Sequence, residues 1–126
     1  MTIEHIAVYV RDLEQSTSFF ETYFNGKRGE LYHNKRTGFS SYFISFDNSA
    51  RLELMTLPTV SNKRPAMHIG YAHIAFNVGS KEKVNELTAR LEKDGYRVKS
   101  YPRTTGDGYY ESCVYDSEGN EIEITA

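Results

Sequence analysis

"IEHIAVYV" at residues 3–10 and "YAHIAFNV" at 71–78 carry one pattern twice, about half the chain apart. Each sets a histidine (His5, His73) directly before Ile-Ala, then alternates apolar positions. A period of two marks a strand with one buried face. Ile6, Val8 and Val10 take one face of the first strand; Ile3, His5, Ala7 and Tyr9 take the other. In the copy, Ile74, Phe76 and Val78 oppose His73, Ala75 and Asn77.

The segment after each strand repeats as well. After the first comes "RDLEQSTSFFETYFNG", with Asp12 as a helix cap, Gln15 three positions on, and Leu13, Phe20, Tyr23 and Phe24 at helical spacing. Asn25-Gly26 is the expected stop. After the second comes "GSKEKVNELTARLEKDG", with Ser80 as cap, Val84, Leu87 and Leu91 as apolar stripe, and Gly95 as stop. Strands are expected near 29–33, 41–46 and 50–56 in the first half, with a turn at Asp47-Asn48. In the second half they are expected near 96–101, 109–115 and 120–125. Residues 103–108, "RTTGDG", form an expected flexible loop. Residues 57–70, with two prolines, polar residues and a glycine, read as a linker.

The expected architecture is therefore α+β: two tandem βαβββ modules, about 1–57 and 71–126, joined by a linker of about 58–70 into a single domain. A unit repeated at this scale does not bury both of its faces alone. Each sheet covers one face with its helix. Two such sheets side by side are expected to make one curved mixed sheet with a concave face.

Parity then selects side chains. On the last strand of the first half, Leu52 and Leu54 oppose Arg51, Glu53 and Met55. On the last strand of the second half, Ile122 and Ile124 oppose Glu121, Glu123 and Thr125. Each half so places one His and one Glu on the face away from its helix, at nearly the same spacing. Taken singly, a strand Glu or His is most simply a solvated side chain. Repeated as His5 with Glu53 and His73 with Glu123, the set is a candidate metal site. Imidazole nitrogen and carboxylate oxygen, without thiolate, suit one divalent ion among Zn²⁺, Ni²⁺, Co²⁺, Mn²⁺ and Fe²⁺.

Composition bounds the alternatives. The 126 residues are 39% hydrophobic and 25% charged, with net charge −2. That suits one globular domain and offers no basic surface for nucleic acid or an anionic membrane. No apolar run approaches the roughly 20 residues that span a bilayer. Residues 1–10 lack the basic and apolar regions of a signal peptide. The single Cys113 forms no internal disulfide, and a cytoplasmic location is expected. His33 and His68 are read as incidental, and Cys113 as a small buried residue.

Together "EHIAVYV" (4–10), "ARLELMTL" (50–57), "GYAHIAFNV" (70–78) and "DSEGNEIEI" (116–124) resemble the vicinal oxygen chelate superfamily, along the whole chain and in this order. Within it the chain is most similar to the glyoxalase I (lactoylglutathione lyase) type. The resemblance implies the glyoxalase/bleomycin resistance fold and a metal held by His5, Glu53, His73 and Glu123. It implies a small oxygenated substrate chelated at the metal, and catalytic carboxylates in Glu123, which moves the proton, and Glu53. It also implies a homodimer. Substrate-side candidates are Tyr9, Arg51, Asn77, Arg103, Tyr109 and Tyr110. Members that use glutathione typically carry an arginine where this chain has Tyr9 and often an asparagine where it has Leu57, so its grip on glutathione is expected to be reduced. Dioxygenases and non-catalytic drug-binding resistance proteins share the scaffold and are the rival functions.

Overall fold

The two alternating stretches become β1 (His5–Tyr9) and β6 (His73–Asn77), and burial alternates along both with the expected parity. The computed structural model describes residues 3–47, 49–60, 69–106 and 108–126. Asn48 of the expected turn, Asp107 of the expected loop, and 61–68 of the expected linker, including His68, lie outside the described residues.

The chain divides into two compact units, Met1–His68 and Ile69–Ala126. The first holds β1, α1 (Leu13–Phe24), β2 (Lys27–Arg28), β3 (Tyr32–His33), β4 (Ser40–Ser45) and β5 (Arg51–Thr56). The second holds β6, α2 (Lys81–Lys93), β7 (Val98–Thr104), β8 (Tyr110–Tyr115) and β9 (Glu121–Thr125). Each unit is a helix on a mixed sheet. The first sheet runs β1-β5-β4-β2, with β3 also on β4; the second runs β6-β9-β8-β7. In both, the first strand lies parallel to the last and the remaining pairs are antiparallel.

Local chemistry sets the helix ends. The Asp12 carboxylate accepts from the Gln15 backbone N–H at 2.9 Å, and the Ser80 hydroxyl accepts from Lys83 at 3.3 Å. Asn25 turns α1 off in the left-handed region at φ 54°, and Gly95 follows α2 at φ 93°. The apolar stripe of α1 buries Leu13, Phe19, Phe20 and Phe24 above Ile44, Leu52 and Leu54. In the second unit Val84 and Leu91 pack with Val114, Ile122 and Ile124. Buried Thr88 on α2 shares a 2.6 Å hydrogen bond with Ser112 on β8, so both hydroxyls are satisfied beneath the helix.

Two expectations need correction. The strand expected at 29–33 is two short pieces, β2 and β3, either side of Gly29–Leu31. Both pieces pair with β4, and Gly29 N–H donates to Phe43 C=O between them. The strand expected to stop at 101 continues to Thr104, so Arg103 lies on a strand opposite Glu111 rather than in a loop.

Candidate functional site

In the first unit β1 and β5 run in parallel with Ala7 opposite Glu53. His5, two residues before Ala7, therefore lies diagonally from Glu53 on the face away from α1. Its Nε2 is 3.8 Å from Glu53 Oε2. In the second unit β6 and β9 run in parallel with Ala75 opposite Glu123. The diagonal is the same, and His73 Nε2 lies 3.1 Å from Glu123 Oε2. The glutamates are the more buried member of each pair, at 16% and 22% side-chain exposure against about 40% for the histidines.

These separations test the pairs against a metal ion. Two donors each about 2.1 Å from one ion, at roughly 90–110°, lie roughly 3.0–3.4 Å apart. The second pair falls in that range, whereas the first, at 3.8 Å, lies outside it and would have to close by a few tenths of an ångström to share one ion; the donor types, imidazole nitrogen and carboxylate oxygen, suit such an ion in both pairs. Among the described residues no three His, Cys, Asp or Glu side chains are gathered into one cluster; each unit by itself holds one His–Glu pair.

The first pair has built surroundings. His5 Nδ1 is hydrogen-bonded to the Glu4 carboxylate, which also accepts from the Arg51 guanidinium. These two contacts, His5 foremost, hold the Glu4 carboxyl below the usual range. The Phe43 and His5 rings meet nearly perpendicular, with centroids 5.2 Å apart, and the Arg51 guanidinium lies 4.2 Å over the Phe43 ring. Alternation alone misses Glu4, because it puts residue 4 on the helix face. Regular strand begins only at His5, so that parity does not bind Glu4. The signal available in the sequence is chemical: a carboxylate immediately before a candidate ligand histidine.

The substrate-side candidates separate. Tyr9 is half exposed on the His5 face of β1, and Arg51 is tied to Glu4 on β5. Asn77 accepts from the Gly79 N–H at 2.8 Å and shapes the turn out of β6. Arg103 donates to the Ser100 hydroxyl at 2.9 Å. Tyr109 is exposed and its backbone is bonded to Thr105. Tyr110 turns to the helix side, where its hydroxyl donates to Asn85 at 2.8 Å and Lys81 lies over its ring. Glu121, on the Glu123 face, takes a 2.6 Å hydrogen bond from Lys99. His33 is bonded to Ser40 on the neighbouring strand. Cys113 is buried opposite Glu123, and burial pushes its thiol up to about 11, which suits packing rather than nucleophilic attack.

The Glyoxalase/Bleomycin resistance protein/Dioxygenase superfamily model matches residues 2–124. The chain belongs to this superfamily. It is 30% identical to the fosfomycin resistance protein FosX of Listeria monocytogenes over 125 residues, covering 98% of this chain and 88% of that one. A glyoxylase/bleomycin resistance protein/dioxygenase domain from Frankia sp. superimposes with a TM-score of 0.84 at 17% identity, covering 99% and 96% of the two chains. The trypanothione-dependent glyoxalase I of Leishmania major does so at 0.79 and 23%, covering 99% and 86%. These structural likenesses carry the fold, and the chain adopts the α+β glyoxalase/bleomycin resistance architecture that the resemblance implied. Among the described residues no helix is long and apolar enough to cross a membrane.

Proposed function

We propose that this chain is a metal-dependent enzyme of the glyoxalase I type, a lyase or isomerase acting on a small oxygenated substrate. In this reading the two modules act as one domain, and His5, Glu53, His73 and Glu123 serve one divalent ion. The supporting observation is the His–Glu diagonal, formed on parallel strands in the same register in both units. A bound divalent ion would supply Lewis-acid polarisation of substrate oxygens. Glu123 would take the C–H proton from a hydroxyl-bearing carbon next to the substrate carbonyl and return it to the carbonyl carbon, while the hydroxyl proton passes to the former carbonyl oxygen, so the isomerisation gains and loses no proton. Glu53 is its counterpart in the first unit. Partial burial leaves fewer waters to compete with an ion or substrate for each carboxylate. Tyr9, Arg51, Asn77, Arg103 and Tyr109 are assigned to the substrate side, whereas Tyr110 is assigned to packing on α2. A cytoplasmic homodimer completes the reading.

Metal content is the direct test. Wild-type protein is expected to bind one Ni²⁺ or Zn²⁺ per chain, and His5→Ala and His73→Ala each to lose most of it by atomic-emission analysis after desalting. Wild-type stoichiometry in both variants overturns the proposal. A second reading, small-molecule resistance, draws on the identity to FosX. It gains if expression raises fosfomycin tolerance in a susceptible host and no glyoxalase-type turnover is found.

Glutathione offers a sharper expectation. Tyr9 and Leu57 stand where glutathione-using members carry polar grips. One lost charge-assisted hydrogen bond costs about 1.5–3 kcal/mol, roughly ten- to a hundredfold in efficiency. Turnover of the glutathione–methylglyoxal adduct by metal-loaded protein is therefore expected to fall that far below a dedicated glyoxalase I. Equal kcat/KM would refute this reading of the two positions.

A further inference from the structure

Glu4 is tied to His5 Nδ1 on one side and to Arg51 on the other. An ionised carboxylate only accepts hydrogen bonds. The Nδ1 atom facing it must therefore carry a proton, and a neutral His5 then keeps its lone pair on Nε2, the atom that faces Glu53. The 3.8 Å between Nε2 and Glu53 Oε2 is too long for a hydrogen bond, so nothing in that pair draws the proton to Nε2. Phe43 packs nearly perpendicular to the His5 ring, and Arg51, stacked on Phe43, holds the carboxylate. The second unit is built differently: the residue before His73 is Ala72, which has no acceptor side chain.

We infer that Glu4 is a positioning residue that fixes His5 in the Nδ1–H tautomer and presents Nε2 as a ready donor to the ion. The inference rests on the metal-site reading above. It makes the two halves unequal: His5 is pre-set by an outer carboxylate, whereas among the described residues the carboxylate beside His73 is Glu123, at Nε2 rather than Nδ1. Outer carboxylates on ligand histidines typically contribute about 10- to 100-fold in metal affinity.

The test compares wild type, Glu4→Ala and Glu4→Gln in two measurements. The first is the His5 tautomer in metal-free protein, from long-range proton–nitrogen correlation at a pH where imidazole is neutral. The second is Ni²⁺ affinity by competition with a chelating dye. Glu4→Ala is expected to move His5 toward the Nε2–H tautomer, leave His73 unchanged, and weaken Ni²⁺ binding about 10- to 100-fold. Glu4→Gln, whose amide oxygen still accepts from Nδ1–H, should keep the tautomer and lose less affinity. An unchanged tautomer in Glu4→Ala, or affinity within twofold of wild type, overturns the role of Glu4 and leaves the ion site standing. Wild type that binds no Ni²⁺ overturns the metal-site reading and the outer role with it, a failure the metal-free tautomer measurement sets apart from an error about the Glu4–His5 contact.

Discussion

Glu123→Gln should lower kcat by about 10²–10⁴, the range general acid–base groups contribute, with a much smaller change in fold stability. Glutamine keeps the length and one oxygen, so the β9 strand and its buried neighbours Ile122 and Ile124 are undisturbed. What disappears is the anionic oxygen 3.1 Å from His73 Nε2 and, with it, the capacity to take a proton. The effect has two parts, weaker metal binding and loss of the base, and saturating Ni²⁺ separates them. If the ion is restored and kcat stays down at least a hundredfold, the base role stands. If saturating metal restores wild-type kcat, Glu123 is a ligand only. Glu53→Gln, run in parallel, shows whether the first carboxylate carries an equal share. Its lower exposure, 16% against 22%, argues that it too acts from a partly dried site.

Strand parity is legible in the sequence because one face of each of β1, β5, β6 and β9 is committed to a core. Leu52, Leu54, Ile122 and Ile124 are buried, and a one-residue slip would put them in water. That constraint alone sends His5, Glu53, His73 and Glu123 to the opposite faces. The helices are legible from Asp12 and Ser80, whose side chains do bond the third helical N–H. Less is legible where no single rule dominates. The split into β2 and β3 falls at Gly29–Leu31 on the edge of β4, and short edge pieces carry little pattern. Arg103 reads as a loop residue because Thr104, Thr105 and Gly106 look like turn residues. Pairing across to Glu111 and Tyr110 instead extends the strand. Tyr110 shows that adjacency misleads on a pleated strand: next to Tyr109 in sequence, it faces α2. Glu4 is hidden because alternation holds only inside regular strand.

Phe20→Ala should destabilise the protein by about 3–5 kcal/mol, a large share of the roughly 5–15 kcal/mol that holds a domain folded. Phe20 is 2% exposed and sits at the centre of an aromatic cluster. Its ring meets Phe19 at 5.2 Å, Phe24 at 6.0 Å and Phe46 at 6.4 Å. Truncation removes the transfer energy of the ring and leaves a cavity that the stiff neighbours fill poorly. The opposite wall is Ile44, fully buried on the central strand β4, which is held between β5 and the β2–β3 edge. On the other side, Gly26 closes down on the same wall; a Cβ there would lie 2.6 Å from Ile44 Cγ2. There is thus little room for either element to settle into the void. The loss corresponds to a fall in melting temperature of roughly 10–20 °C. Phe20→Leu, which refills most of the volume, should recover more than half of it. The site face lies across the sheet from this cluster, so at a temperature where Phe20→Leu is fully folded its Ni²⁺ stoichiometry should match wild type. Calorimetry with metal analysis on the same samples checks both halves. A melting-temperature change under about 4 °C for Phe20→Ala would mean that α1 is not seated on the sheet as described. Lost metal binding in a folded Phe20→Leu protein would mean that the helix, as well as the strand register, sets the geometry of the His5–Glu53 pair.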